Sequence, residues 1–141
     1  MSAPPPLLDR LRTRGWRLTA QRRVVAEAMT GDNVHMTADE VLERARRLLP
    51  EISRATVYNT LNELVELGEV AEIPGPDRVR RYDPNAVVPH QHLACEVCGG
   101  LWDVHAEGVE ALHPDPAALG DFEVASTVVT FRGVCAACRG R

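Results

Sequence analysis

Three features are missing from this sequence: a long apolar run, internal repeats and lysine. The stretch from Met1 to Gly15 contains three consecutive prolines and four charged residues, a composition that excludes a secretion signal or a membrane span there. We therefore expect a cytoplasmic protein without a membrane partner. All sixteen basic residues are arginine, which we attribute mainly to genome composition.

An overall positive charge is missing too. The formal net charge is −4, which argues against a protein that is basic throughout. The charge is unevenly distributed, because residues 1–26 hold six arginines and one acid, whereas residues 85–141 hold seven acids and three arginines. A partner that carries phosphate groups would meet the N-terminal part of the chain, where the planar arginine forks suit phosphate.

The first half of the chain has the pattern of four helices and a hairpin. Apolar residues from Leu7 to Leu11 predict a first helix. Three further helices are expected to begin after side chains that can cap a backbone amide, namely Thr19, Thr37 and Ser53. Strands are expected over 70–73 and 79–82, around a turn at 74–77. This order of elements is typical of a winged helix-turn-helix.

The chain is long enough for one domain or two small ones. A segment at about 83–90 contains two prolines and no periodicity, so we take it as a hinge between a winged-helix domain (1–84) and a second domain (85–141). The β-branched run 123–132 predicts a long strand, while prolines restrict 106–121 to short helical pieces. The predicted fold class is α+β, with a small C-terminal α/β domain.

The four cysteines form two pairs with the same spacing, Cys95-x-x-Cys98 and Cys135-x-x-Cys138. Disulfides are rare in a reducing compartment, and two such pairs brought together by strands supply four soft thiolates for tetrahedral zinc. The alternative is buried free cysteines or a redox dithiol, although neither pair has the sequence of a thioredoxin-type active site. The spacing favours a structural zinc site.

Two histidines lie just before the first cysteine pair. His90 and His92 are two residues apart, so on a strand both rings face the same side. An isolated pair of this kind is as often a surface or packing feature as a metal ligand. The neighbouring cysteines favour metal binding.

Two other patterns point to different functions. The face of the fourth helix from Arg54 to Asn62 has arginine and asparagine suited to guanine and adenine edges, although alone it is also a solvated surface. His105-Ala106-Glu107, followed by Cys135-x-x-Cys138, imitates the signature of zinc deaminases, but residue 134 is valine where that signature has proline. We expect a protein that is not an enzyme and has no small-molecule substrate; the alternatives are a deaminase-like enzyme and a zinc-ribbon interaction module.

The sequence resembles the ferric uptake regulator (Fur) family of bacterial metal-responsive repressors, from about Leu11 to Cys138. The matching stretches are Arg17-Leu18-Thr19-x-Gln21-Arg22, His35-Met36-Thr37-Ala38, Ser53-Arg54-Ala55-Thr56-Val57-Tyr58-Asn59-Thr60-Leu61, His90-x-His92-x-x-Cys95-x-x-Cys98-Gly99 and Gly133-x-Cys135-x-x-Cys138. The resemblance implies that the cysteines hold structural zinc, that the first domain binds a pseudo-palindromic operator and that the second domain forms a homodimer. The implied DNA contacts are Arg17, Arg22, Ser53, Arg54, Thr56, Tyr58 and Asn59.

The resemblance also implies a regulatory site for Fe(II) or Mn(II). Its ligands would be five nitrogen and oxygen donors that are far apart in the sequence: His35, Asp83, His90, His92 and Asp103. Two positions depart from the family pattern, because Gln91 lies between the histidines and Thr127 stands where many members carry a further ligand histidine. We therefore expect one zinc and one regulatory metal per chain, with His105 and His113 unassigned.

Asp103 bears on the signal that the protein senses. Within the family, the peroxide-sensing branch has aspartate at this position, whereas iron-sensing members tend to have glutamate. The resemblance therefore implies a repressor that is released when peroxide and Fe(II) oxidise His35 or His90. The alternative is a repressor of iron or manganese uptake that does not respond to peroxide.

Overall fold

The computed structural model describes residues 4–140, and the chain divides into two compact units between Pro89 and His90. The first unit is formed by four helices and a hairpin, and the second by a three-stranded sheet with short helices. Among residues 4–140, none of the helices has the length and apolar character that a membrane crossing requires.

Four helices build the first unit: α1 (Leu7–Thr13), α2 (Ala20–Ala28), α3 (Ala38–Leu48) and α4 (Arg54–Glu66). The three predicted N-caps are confirmed. Thr19, Thr37 and Ser53 each accept a hydrogen bond, at 3.1 to 3.2 Å, from the amide of the residue three positions later. Each cap satisfies an amide that the helix leaves without a partner, a contribution of about 1 kcal/mol.

The core of the first unit lies between the apolar faces of these helices. Val57, Leu61 and Leu64 follow one another at helical spacing on α4, and all three are fully buried. They pack in one cluster with Leu11 of α1 and Val41 of α3, among others. Because this face of α4 is buried, the opposite face is left toward solvent.

The predicted hairpin is present, with β1 (Ala71–Pro74) antiparallel to β2 (Arg80–Asp83). Both strands begin and end one residue later than predicted. Val79 belongs to the turn, because its carbonyl accepts a bond from the Gly75 amide at 2.9 Å and its own amide donates to the Asp77 carboxylate at 3.1 Å. Four helices followed by this hairpin form the expected winged helix.

The second unit contains β3 (Gln91–Cys95), β4 (Leu101–Val104) and β5 (Thr130–Gly133), in the order β4-β3-β5. Strand β3 pairs antiparallel with β4 and parallel with β5. The helical pieces are a 3-10 turn (Val109–Ala111), α5 (Pro116–Leu119) and α6 (Ala136–Arg139).

The prediction of one long strand over 123–132 is wrong, because only its last three residues belong to β5. Four residues of β3 pair with β5. Among residues 4–140, the earlier part of the β-branched run has no strand beside it to set its hydrogen bonds. β-propensity describes how well a residue fits a sheet that already exists.

An acidic side chain is buried where α4 leads into β1. Glu69 is 7% exposed and is held by Arg10 at 2.9 Å and Arg14 at 2.9 Å, both from α1 or its C-terminal end. Burial alone would raise the pKa of Glu69, but the hydrogen bonds from the two guanidinium groups outweigh it and hold the pKa below its ordinary value. The ionised form is therefore the one that stabilises this unit.

We predict that Glu69→Gln changes how stability depends on pH. A lowered pKa in the folded state gives stability that is complete above the ordinary glutamate pKa and is lost as pH falls through the folded value. The free energy of unfolding of wild type should exceed that of the variant by about 1–3 kcal/mol at neutral pH. This difference should shrink below about pH 4.

The measurement is urea unfolding in a Trp102→Phe background, where Trp16 is the remaining tryptophan and reports on the first unit. Glu66→Gln changes an exposed glutamate and should leave the pH dependence unaltered. A difference between wild type and Glu69→Gln that stays constant as the pH falls from 7 to about 3, which is below the ordinary glutamate pKa, would contradict the assignment.

Candidate metal centres and DNA-binding surface

The four cysteines come together in the second unit although 36 residues separate Cys98 from Cys135. Their sulfur atoms all lie within 4.8 Å of one another, and the Cys98 and Cys135 Sγ atoms are 3.9 Å apart. Four sulfurs about 2.3 Å from a tetrahedral zinc ion are about 3.8 Å from each other. The spacing of the sulfur atoms therefore fits zinc.

The electrostatics of this cysteine group also fit a cation. Hydrogen bonds from the backbone amides of Cys135 and Cys98 lower the pKa of Cys95 to about 6. The pKa of Cys138 is raised to about 12, mainly by its hydrogen bond with the Cys135 thiol and to a smaller extent by burial. Thiols this close cannot all be ionised at once, because neighbouring thiolates repel each other. A metal ion with two positive charges would remove that restriction.

A pair of potential ligands lies in the first unit. Met36 and Tyr82 form an isolated antiparallel bridge, with N···O distances of 3.3 and 2.8 Å. In an antiparallel bridge the residue before one partner faces the residue after the other, so His35 lies next to Asp83. The His35 Nε2 and Asp83 Oδ2 atoms are 3.5 Å apart, and both side chains are almost fully buried.

A set of three potential ligands lies in the second unit. His92 on β3 is directly opposite Asp103 on β4, and His90 immediately precedes β3. The Asp103 Oδ1 atom is 3.3 Å from His90 Nε2 and 3.4 Å from His92 Nε2, and the two histidine nitrogens are 3.2 Å apart. The prediction that both rings face the same side is therefore confirmed. Two histidines and one carboxylate that converge in this way suit Fe(II).

The two faces of the sheet separate this set from the cysteine group. Side chains alternate along β3, so Cys95 points to the face opposite His92. Leu93, on the same face as Cys95, lies across from Trp102 on β4 and Phe131 on β5. These three large side chains are 37–47% exposed and line an open apolar groove.

The structure also shows where the two departures from the family pattern lie, and where the histidine of the deaminase alternative lies. The side-chain oxygen of Gln91 accepts a bond from the Ala106 amide at 2.8 Å, so this buried residue ties β3 to the segment after β4. Thr127 lies in the exposed stretch before β5. His105, which the deaminase alternative requires, is exposed and is not part of the cysteine group.

The exposed face of α4 carries most of the residues expected to contact DNA. Arg54, Tyr58 and Asn59 are exposed, while Ser53 and Thr56 form the N-cap. Sequence reasoning missed the partner of Arg54, which is Asp39 in the first turn of α3. Bonding to this carboxylate is the largest of several causes that raise the pKa of Arg54. The arginine therefore stays charged.

Arg17 and Arg22 differ in their surroundings. The Arg17 side chain is exposed. Arg22 donates to Glu63 of α4 at 2.6 Å and lies over the ring of Trp16, 4.5 Å from its centroid. These contacts tie α2 to α4, so the structure gives Arg22 an internal bonding role that sequence reasoning did not foresee.

A winged helix-turn-helix joined to a unit with grouped thiols and histidine–carboxylate donors defines a class, the metal-responsive DNA-binding regulators. The sequence matches the ferric uptake regulator family over residues 13–132, and the chain belongs to that family.

Named relatives and solved structures agree with this assignment. The chain is 33% identical over 131 residues to the peroxide operon regulator of Bacillus subtilis (strain 168), covering 93% of this chain and 90% of the relative. It is 33% identical over 129 residues to the peroxide-responsive repressor PerR of Staphylococcus epidermidis, covering 92% and 85%. A zinc uptake regulator complexed with zinc and DNA matches with a TM-score of 0.70 at 28% identity, over 94% of this chain and 90% of that one.

We predict that Cys95→Ser removes zinc from the second unit and leaves it unfolded, because metal binding supplies folding free energy to a small unit of this kind. The measurements are zinc content and protease resistance of residues 90–140. His105→Ala changes an exposed histidine outside the cysteine group and should keep both. A Cys95→Ser protein that retains stoichiometric zinc would show that the ligands are different.

Proposed function

We propose that this protein is a metal-dependent transcriptional repressor in which one Fe(II) or Mn(II) ion is held by five residues. The observation that carries the proposal is the convergence of His90, His92 and Asp103 within 3.4 Å. Three ligands leave room for more, and the His35–Asp83 pair offers two further donors of the same kind. We propose a separate structural zinc ion in the cysteine group.

The distribution of the ligands would make DNA binding depend on the metal. His35 and Asp83 belong to the unit that carries α4, and the other three ligands belong to the second unit. An ion that binds all five would restrict the orientation of one unit relative to the other. In this proposal, residues 1–84 read the DNA and residues 85–141 dimerise.

Dimerisation is supported by the apolar groove of the second unit. Leu93, Trp102 and Phe131 lie in one row across the sheet and are substantially exposed. A second copy of the chain that covered this row would remove apolar surface from water. Two copies related by a twofold axis would present two α4 helices to the halves of a pseudo-palindromic operator in the cytoplasm.

The signal that we propose is peroxide. Two of the relatives are named for peroxide response, and the chain has aspartate at position 103. A bound Fe(II) ion would supply the reducing centre that activates peroxide beside the histidines. One peroxide oxygen would be inserted into a ring C–H bond of His35 or His90 and the other would leave as water, so the imidazole loses two electrons and the peroxide gains them.

The experiment that tests this proposal compares protein loaded with Fe(II) and with Mn(II). After brief exposure to peroxide, peptide mass spectrometry should find one added oxygen on His35 or His90 in the iron form alone, and the iron form should lose its affinity for DNA. Asp103→Glu keeps a carboxylate and should reduce this oxidation. Intact histidines in iron-loaded wild type would favour the alternative, an iron or manganese uptake repressor.

We further predict that Arg54→Ala and Tyr58→Ala each weaken operator binding by about 1–3 kcal/mol without changing metal content. Both side chains lie on the exposed face of α4 and outside both groups of ligands. The assay is a gel shift with Mn(II), on an operator selected from random duplexes. Arg47→Ala, which removes an exposed arginine paired with Glu43 on α3, is the matched control.

If Arg54→Ala and Tyr58→Ala bind as tightly as Arg47→Ala, recognition lies elsewhere on the protein. If wild type shows no metal-dependent shift at all, the deaminase-like and zinc-ribbon alternatives gain support instead.

A further inference from the structure

One arginine of the first unit has four hydrogen bonds that join distant parts of the chain. The Arg10 guanidinium donates to the Glu69 carboxylate at 2.9 Å and to the Glu69 carbonyl at 3.1 Å. It also donates to the carbonyls of Pro5 at 2.8 Å and Pro84 at 2.6 Å. Its side chain is only 11% exposed. A buried charge with this many partners is held in one orientation.

The bond to Pro84 reaches the chain directly beside a proposed metal ligand. Pro84 follows Asp83, whose side chain is buried, with one carboxylate oxygen 3.5 Å from His35. The other oxygen accepts the Asn85 amide at 2.8 Å. The Asp83 carboxylate is thus oriented by the backbone on its C-terminal side, and Arg10 holds that same stretch of backbone through the Pro84 carbonyl.

Arg14 provides a contrast within the same network. It shares Glu69 with Arg10, at 2.9 Å from the other carboxylate oxygen, and no bond from Arg14 to Pro84 is found among residues 4–140. Removing either arginine takes one ion pair from Glu69, but removing Arg10 also releases Pro84. Variants of the two arginines can therefore distinguish an effect on the stability of the buried network from an effect on the position of Asp83.

We propose that Arg10 is a positioning residue for the regulatory metal: through the Pro84 carbonyl it holds the Asp83 carboxylate in a ligand geometry. The inference rests on the proposed function, since it assumes that Asp83 binds the ion. It adds a residue of α1, 73 positions earlier in the chain, to the determinants of metal affinity. Partners that orient a ligand commonly contribute tenfold or more to metal affinity.

The test compares Arg10→Gln with Arg14→Gln in full-length zinc-loaded protein. The urea midpoint of the first unit should be lower in both variants, because each substitution removes one ion pair with Glu69. Mn(II) affinity, measured by electron paramagnetic resonance of the free ion, should fall by about tenfold or more in Arg10→Gln and stay unchanged in Arg14→Gln. Arg10→Lys keeps the charge but lacks the fork and should resemble Arg10→Gln. Equal Mn(II) affinity in Arg10→Gln and Arg14→Gln would overturn the proposal.

A second readout needs no metal. The Asn85 amide is protected by the Asp83 carboxylate, so its hydrogen exchange in metal-free protein should be faster in Arg10→Gln than in Arg14→Gln. If wild type fails to bind Mn(II), the proposed function fails, while this comparison still decides whether Arg10 positions Asp83. Equal exchange rates in the two variants would exclude that role.

Discussion

The antiparallel bridge between Met36 and Tyr82 is the contact on which the first pair of donors depends. It consists of two backbone hydrogen bonds, yet it brings His35 and Asp83, 48 positions apart in the sequence, within 3.5 Å. The hairpin supplies one side of the bridge and the loop before α3 supplies the other. The wing therefore has a structural task besides any contact with DNA, because it carries Asp83 at the end of β2.

Strand register performs the same task in the second unit. His92 faces Asp103 across β3 and β4, and the alternation of side chains sends Cys95 to the other face. The soft thiol of Cys95 and the harder nitrogen donors of His90 and His92 are thus kept apart although they lie within six residues of each other. This separation matters because zinc prefers thiolates and would compete for a mixed site.

Local rules predicted much of this fold, and residues that depend on distant partners account for the rest. The caps at Thr19, Thr37 and Ser53 and the CxxC pairs could be identified because each involves residues a few positions apart. The burial of Glu69 could not, since nothing around it distinguishes it from a surface acid until Arg10 and Arg14 of the α1 region lie beside it. The prediction of a long strand before β5 was wrong for the same reason. A strand requires a neighbouring strand, and the β-branched run does not specify one.

The division of donors between the units has an energetic consequence for the proposed regulation. A ligand shifts a conformational equilibrium only by the difference between its affinities for the two states. With two donors in one unit and three in the other, an ion bound by one unit alone would lose at least two of its five protein ligands. The full binding free energy would then be available only in the arrangement that uses both sets, which is the condition for metal binding to control orientation. A site built entirely within the second unit could bind metal more simply, but filling it would place no constraint on α4.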